Sequence, residues 1–247
     1  MSTKSLKFAV MLLGIALGMF ACNGGDPEPV NTNGTTTAVF NPGISYGTMT
    51  DQEGNVYKTV TIGTQTWMAE NLRTTIYNDS TAIPHVPGNA EWSALTSGGY
   101  CVFQNNTDKN FIATYGNLYN FQAINSGKLA PAGWHVSTDT DWNTLVNFLG
   151  GNLIAGKKLK EVGTTHWVSY SIPATNESGF TGLPGSNRAL AGTFPSGVGT
   201  DGEFWTATPH ATTAGWVYSW YLNYGKDEVS RIAVSEERGL SVRLVKD

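Results

Sequence analysis

The sequence predicts an α+β domain with many turns, and three observations carry that expectation. Thr138-Asp139-Thr140-Asp141 has the pattern of a helix start, a hydroxyl followed three residues later by an acid. Behind it Trp142, Leu145, Val146 and Leu149 fall at i, i+3, i+4 and i+7, one apolar helix face. From Gly179 onward the pattern turns to β. Trp216, Tyr218, Trp220, Leu222 and Tyr224 alternate at period two, as in a half-buried strand, with Tyr221 on the opposite, exposed face. Glycine supplies 29 of 247 residues, about 12% against a usual value of roughly 7%. With low charge and plentiful aromatics, this suits short buried segments joined by turns and excludes a coiled coil.

The ends of the chain read differently from its middle. Lys4 and Lys7 precede an apolar run of 14 residues, Phe8 to Ala21, too short for a comfortable membrane span. Residues 1–21 are therefore expected to be a signal peptide. Leu17-Gly18-Met19-Phe20-Ala21-Cys22 resembles the lipobox of bacterial lipoproteins, with Met19 and Phe20 looser than the usual residues. The resemblance implies lipidation of Cys22 and a membrane held through an N-terminal lipid. Residues 23–29 and 31–37 have almost no apolar side chains, so residues 22–43 are expected to form a flexible tether. The domain is expected over residues 44–247. Lys4 and Lys7 are the only charges before Cys22, so the chain from Cys22 carries 13 basic and 19 acidic residues, net −6. No basic cluster remains for nucleic acid.

Within the domain, residues 56–62 alternate as a strand, with Val56, Lys58, Val60 and Ile62 on one face, and residues 65–69 return after Gly63. Residues 73–114 are punctuated by Pro84, Pro87, Gly88, Gly98 and Gly99 and read as loops around a short strand at 99–103. Residues 115–124 read as a helix with Leu118 and Phe121 turned inward. Pro131 and Gly133 mark a turn before the extended run Trp134-His135-Val136. Gly150-Gly151 stops the central helix, residues 155–161 suggest a second short one, and residues 228–234 and 240–244 read as closing strands.

Several segments together resemble one family, the Fibrobacter succinogenes major paralogous domain. They include Tyr57-Lys58-Thr59-Val60-Thr61-Ile62-Gly63, Trp67-Met68-Ala69-Glu70-Asn71-Leu72, Tyr115-Gly116-Asn117-Leu118-Tyr119-Asn120, Pro131-Ala132-Gly133-Trp134-His135-Val136, Asn176-Glu177-Ser178-Gly179-Phe180 and Gly239-Leu240-Ser241-Val242-Arg243. Members look like secreted or lipid-anchored bacterial proteins of largely undefined activity. This implies a place in the cell envelope, at the outer membrane or cell surface. Residues 133–142 and 239–245 are also similar to the sulfatase-modifying, formylglycine-generating domains. That wider resemblance implies a C-type-lectin-like fold: two main helices, small antiparallel sheets and long irregular loops. The family usually closes on S-V-R-C-V-K-D, and its cysteine would pair with the one at Gly-Tyr-Cys. Here Leu244 stands at that position, so no internal disulfide is expected and packing must replace a staple of about 2–4 kcal/mol.

The chemistry visible in the sequence is sparse. Formylglycine generation needs a copper-binding cysteine pair, which Cys101 alone cannot supply, and a buried structural thiol is the simpler expectation. His85, His135, His166 and His210 show no metal-ligand spacing, and no nucleophile elbow or phosphate loop occurs. Asp139 and Asp141 are expected as helix-start charges. The best ligand candidate is the oxygen-rich stretch Gln104, Asn105, Asn106, Asp108 and Asn110, where Asp108 would anchor calcium; the alternative is a solvated turn. Trp92, Trp205, Trp216, Trp220 and Tyr221 are candidates for stacking on sugar rings or for the core, with Tyr221 the likelier exposed one. The expectation is a surface-tethered, non-catalytic binding or adhesion module, with an extracellular glycan or protein as partner. An enzyme of unrecognised type and a structural envelope lipoprotein stand as alternatives.

Overall fold

Alternating side chains of four strands feed two different cores, and that division organises the molecule. The computed structural model describes residues 33–169 and 174–247. The expected signal peptide, Cys22 and the first part of the tether lie outside them. Ten strands and five α-helices are described, an α+β arrangement. The strands are β1 Gly47–Thr50, β2 Val56–Ile62, β3 Gln65–Met68, β4 Tyr100–Cys101, β5 Leu118–Tyr119, β6 Trp134–Val136, β7 Asp201–Pro209, β8 Trp216–Asn223, β9 Val229–Ser235 and β10 Leu244–Lys246. The helices are α1 Asn89–Ser93, α2 Lys109–Tyr115, α3 Phe121–Asn125, α4 Asp139–Phe148 and α5 Asn152–Leu159. A five-stranded antiparallel sheet runs β1-β2-β3-β10-β6, a three-stranded one β7-β8-β9, and β4 pairs with β5. No helix among the described residues is long and apolar enough to cross a membrane.

Met68, Leu244, Trp205 and Val217 point into one core with α3, while Trp67, Val245, Phe204 and Trp220 point into the other with α4 and α5. Successive strand residues face opposite ways, so helices on both sides leave β8 covered on both faces. This corrects the expected half-buried strand: Val217 and Ser219 are buried, and Trp216 is 45% exposed. β2 likewise has buried residues on both faces, and the expected face of Val56, Lys58, Val60 and Ile62 is buried only in its second half. Tyr57 is buried in the first core, Val60 and Ile62 in the second, and Val56 is exposed.

α4 forms as its sequence dictates. The Thr138 hydroxyl accepts the Asp141 N–H at 3.2 Å, Asp141 Oδ2 accepts the Thr138 N–H at 2.8 Å, and a complete capping box results. Its apolar face carries Trp142 into an aromatic stack: parallel to Trp220 at 5.7 Å and edge-on to Trp67 at 5.3 Å. Such rings each bury about 150–250 Å², at most about 4–6 kcal/mol apiece on the usual area scale.

The single helix expected over 115–124 is broken. Gly116 has φ +73°, and a Cβ there would lie 2.7 Å from both Asn71 Cβ and the Leu72 carbonyl oxygen. That left-handed residue ends α2, and the chain continues through β5 into α3. The irregular loops have carbonyls with no ladder to join, and two buried arginines take them. Arg243 donates to Asn71 Oδ1 and to the carbonyls of Met68, Phe180 and Thr181 at 2.7–3.1 Å. Arg188 does the same for Val86, Pro87, Gly88 and Gly192.

From Asn33 the chain already lies along the domain, fixed by bonds from Thr35, Thr37, Val39 and Asn41 to Asn110, Thr114, Glu161 and Asn176. Low hydrophobicity suggested no docking, but these contacts are polar, made by backbone N–H groups and side-chain donors that composition does not weigh.

Candidate functional site

One candidate site grows from the turn that precedes α4. Pro131 accepts the Trp134 N–H at 3.2 Å, closing the turn through Gly133 at φ +81°. β6 then runs along the edge of the large sheet, pairing Trp134 with Lys246, His135 with Val245 and Val136 with Leu244. The short strand leaves Trp134 and His135 half-buried. Behind them opens a cavity of about 380 Å³, bordered by Trp134, His135, Thr138, Asn78, Leu129 and Asp247. That size lies within the range of small-molecule sites.

His135 is held at both nitrogens. Nδ1 lies 2.7 Å from Asp247 Oδ1 and Nε2 lies 3.1 Å from Asp141 Oδ2. Burial works against the imidazolium, but the hydrogen bonds to Asp247 and Asp141 outweigh it and raise the histidine pKa. Burial likewise pushes Asp141 up, and the Thr138 and His135 hydrogen bonds more than reverse it, so its pKa is lowered. The Asp247 side chain is 57% exposed, leaving this carboxylate accessible at the cavity mouth. An indole wall therefore stands beside a carboxylate, an imidazole, an amide and a hydroxyl.

The expected ligand residues do not gather here. Gln104 and Asn105 sit in a 3-10 turn with φ +49° and +54°, and Asn105 donates to the Pro87 carbonyl at 3.1 Å. Asn106 Oδ1 accepts the Asp108 N–H, and Asp108 Oδ1 caps α2 through the Asn110 N–H, both at 2.8 Å. Asn110 lies in α2, and its Oδ1 accepts the Thr35 N–H at 2.8 Å. Three of the oxygens expected to face a cation thus accept backbone N–H groups. Tyr221, expected on an exposed face, is half-buried on β8, and its hydroxyl donates to Asp201. Burial and that partner push its pKa up to about 12.

Trp92, Trp205 and Trp220 are core residues, whereas Trp216 borders a shallow groove with Leu190, Pro195 and Arg238. Among the described residues no group of three His, Cys, Asp or Glu side chains could hold a metal ion. His85 stacks on Tyr100, His210 packs against Tyr218, and His166 pairs with Glu161 at 2.7 Å. Cys101 is a buried free thiol, and burial pushes its pKa up to about 11. Leu244 is fully buried in the first core, while Cys101 packs with Trp92 and Phe103.

The elements from the end of β2 to β10, and with them the Pro131–Val136 turn that shapes the cavity, lie inside the segment matched by the model of the Fibrobacter succinogenes major domain, residues 60–246. The chain belongs to that family. No curated protein and no solved structure matches it.

Proposed function

We propose that this chain is a surface-tethered, non-catalytic binding module that takes a carbohydrate in the Trp134–His135 cavity. The observation that carries the reading is the joining of one half-buried indole with Asp247, His135, Asn78 and Thr138 around a single opening. A sugar ring presents a C–H face to an aromatic wall and hydroxyls to carboxylate and amide, and this cavity offers both. The expected C-type-lectin-like kinship agrees with the reading but is a fold-level analogy. Lipidation at Cys22 would hold the module at the bacterial cell envelope, on the outer membrane or cell surface. Calcium at Asp108 is not part of this reading, because the loop oxygens already serve the backbone.

A second reading, adhesion to a protein, is favoured by the Trp216 groove, where Leu190 is 52% exposed and Arg238 stands at the rim. Tryptophan and arginine dominate protein-binding hot spots. A glycan array probed with and without chelator tests the first reading. Binding that survives chelation and is lost in Trp134→Ala supports it; binding lost in Trp216→Ala alone moves the site to the groove.

A further inference from the structure

The N-terminal stretch Asn33–Asn41 lies on the domain like a bound peptide. It forms no strand or helix of its own. Its amides at every second position donate to side-chain acceptors: Thr35 N–H to Asn110 Oδ1 at 2.8 Å, Thr37 N–H to Thr114 Oγ1 at 2.9 Å, and Val39 N–H to Glu161 Oε1 at 2.5 Å. That period of two is how an extended chain is read. Ordinary strand addition would use a sheet edge, whereas here side chains on α2 and after α5 do the reading.

Two positions add selectivity. The Thr37 hydroxyl meets His166 Nε2 at 2.9 Å and Thr114 Oγ1 at 3.0 Å, and His166 is braced from behind by the fully buried Glu161. Gly34 has φ +87°, and a Cβ there would lie 2.2 Å from the Lys109 carbonyl oxygen, so only glycine fits that close approach. Farther along, Phe40 packs edge-on to Tyr46 at 5.3 Å. The carboxylate–imidazole–hydroxyl line resembles a nucleophile relay. However, the N–H groups of Thr37, Ala38 and Val39 already donate to Thr114, Thr36 and Glu161 rather than facing an oxyanion. The line reads a hydroxyl.

We propose that this groove is an interaction surface for an extended peptide strand, filled in cis by Asn33–Asn41 and open in trans to the same segment of a second copy. The occupant follows from self-complementarity: every contact made in cis is available unchanged to the identical segment of another chain, the condition for exchange of an element between copies. In cis the segment competes at an effective concentration on the order of millimolar, so exchange is suppressed until the copies are crowded or the segment is weakened.

Two copies of the full chain test this, one carrying Thr37→Cys and the other Thr114→Cys. The side-chain oxygens they replace lie 3.0 Å apart. Mixed and oxidised at high concentration, they should yield a disulfide joining residue 37 of one copy to residue 114 of the other, identified as a cross-linked peptide by mass spectrometry. Absence of that peptide overturns the proposal. A labelled peptide of residues 33–41 gives a second measurement. It should bind Thr37→Val chain at least about tenfold more tightly than wild type, since the weakened cis segment competes less, and a peptide carrying the same Thr37→Val change should bind less well. Equal binding to both chains, or none, contradicts exchange even if a cysteine variant fails to fold.

Discussion

His135 and Thr138 share one acceptor: Asp141 Oδ2 lies 3.1 Å from His135 Nε2 and 2.8 Å from the Thr138 N–H that it caps. The histidine at the cavity is thereby tied to the first turn of the longest described helix. Charge on His135 strengthens the cap, and the cap in turn fixes the imidazole ring.

The first prediction follows from this link. The pKa of His135 is raised on folding, so its contribution to stability is fully present below the unfolded value of about 6.5 and fades as pH rises through the folded value. Asp141 has the opposite sign: its pKa is lowered, and its contribution is lost as pH falls through that lowered value. An NMR titration of the His135 ring should give a midpoint above about 6.5, and Asp247→Asn should bring it down. A midpoint unchanged by that substitution would remove Asp247 from the account.

The second concerns the aromatic stack. Trp142 is fully buried between Trp67, Phe180 and Trp220, and its indole N–H donates to Ser137 Oγ at 3.0 Å. Trp142→Ala should cost about 3–5 kcal/mol in denaturant unfolding. A loss below about 1 kcal/mol would mean that the site collapses around the change.

A third addresses the thiol. Cys101 is buried and its pKa is pushed up to about 11, so little thiolate exists at neutral pH. The native chain should resist an alkylating reagent that modifies Cys101 once denaturant is added. Rapid native modification would show an open route to the cluster of Trp92, Cys101 and Phe103.

The anchor yields the fourth. Intact-mass measurement of the chain made in a bacterium with a lipoprotein pathway should show cleavage before Cys22 and two or three acyl chains on the new N-terminus. An unacylated N-terminus would remove the tethered part of the proposed function.

What the sequence made legible was local. The cap Thr138–Asp141 and the spacing Trp142-Leu145-Val146-Leu149 lie within twelve residues and specify α4 without help from the rest of the chain. The residues that escaped prediction depend on distant partners. Gly116 breaks its helix because Asn71 and Leu72 approach it, and no periodicity within 115–124 records that approach. The cavity joins Asn78, Leu129, Trp134, Ala207 and Asp247, which are spread over most of the domain. The loop 104–110 is ambiguous in sequence for a different reason. Its oxygens suit a cation in composition, but short polar side chains also cap helices and turns, and here they do.

The carbohydrate site is the claim on which the functional account rests, and calorimetry with an array-positive oligosaccharide tests it most directly. The account predicts that Trp134→Ala weakens binding by at least about tenfold, roughly 1.4 kcal/mol, while Trp216→Ala leaves it within about twofold. Unchanged affinity in Trp134→Ala, or loss confined to Trp216→Ala, would contradict it.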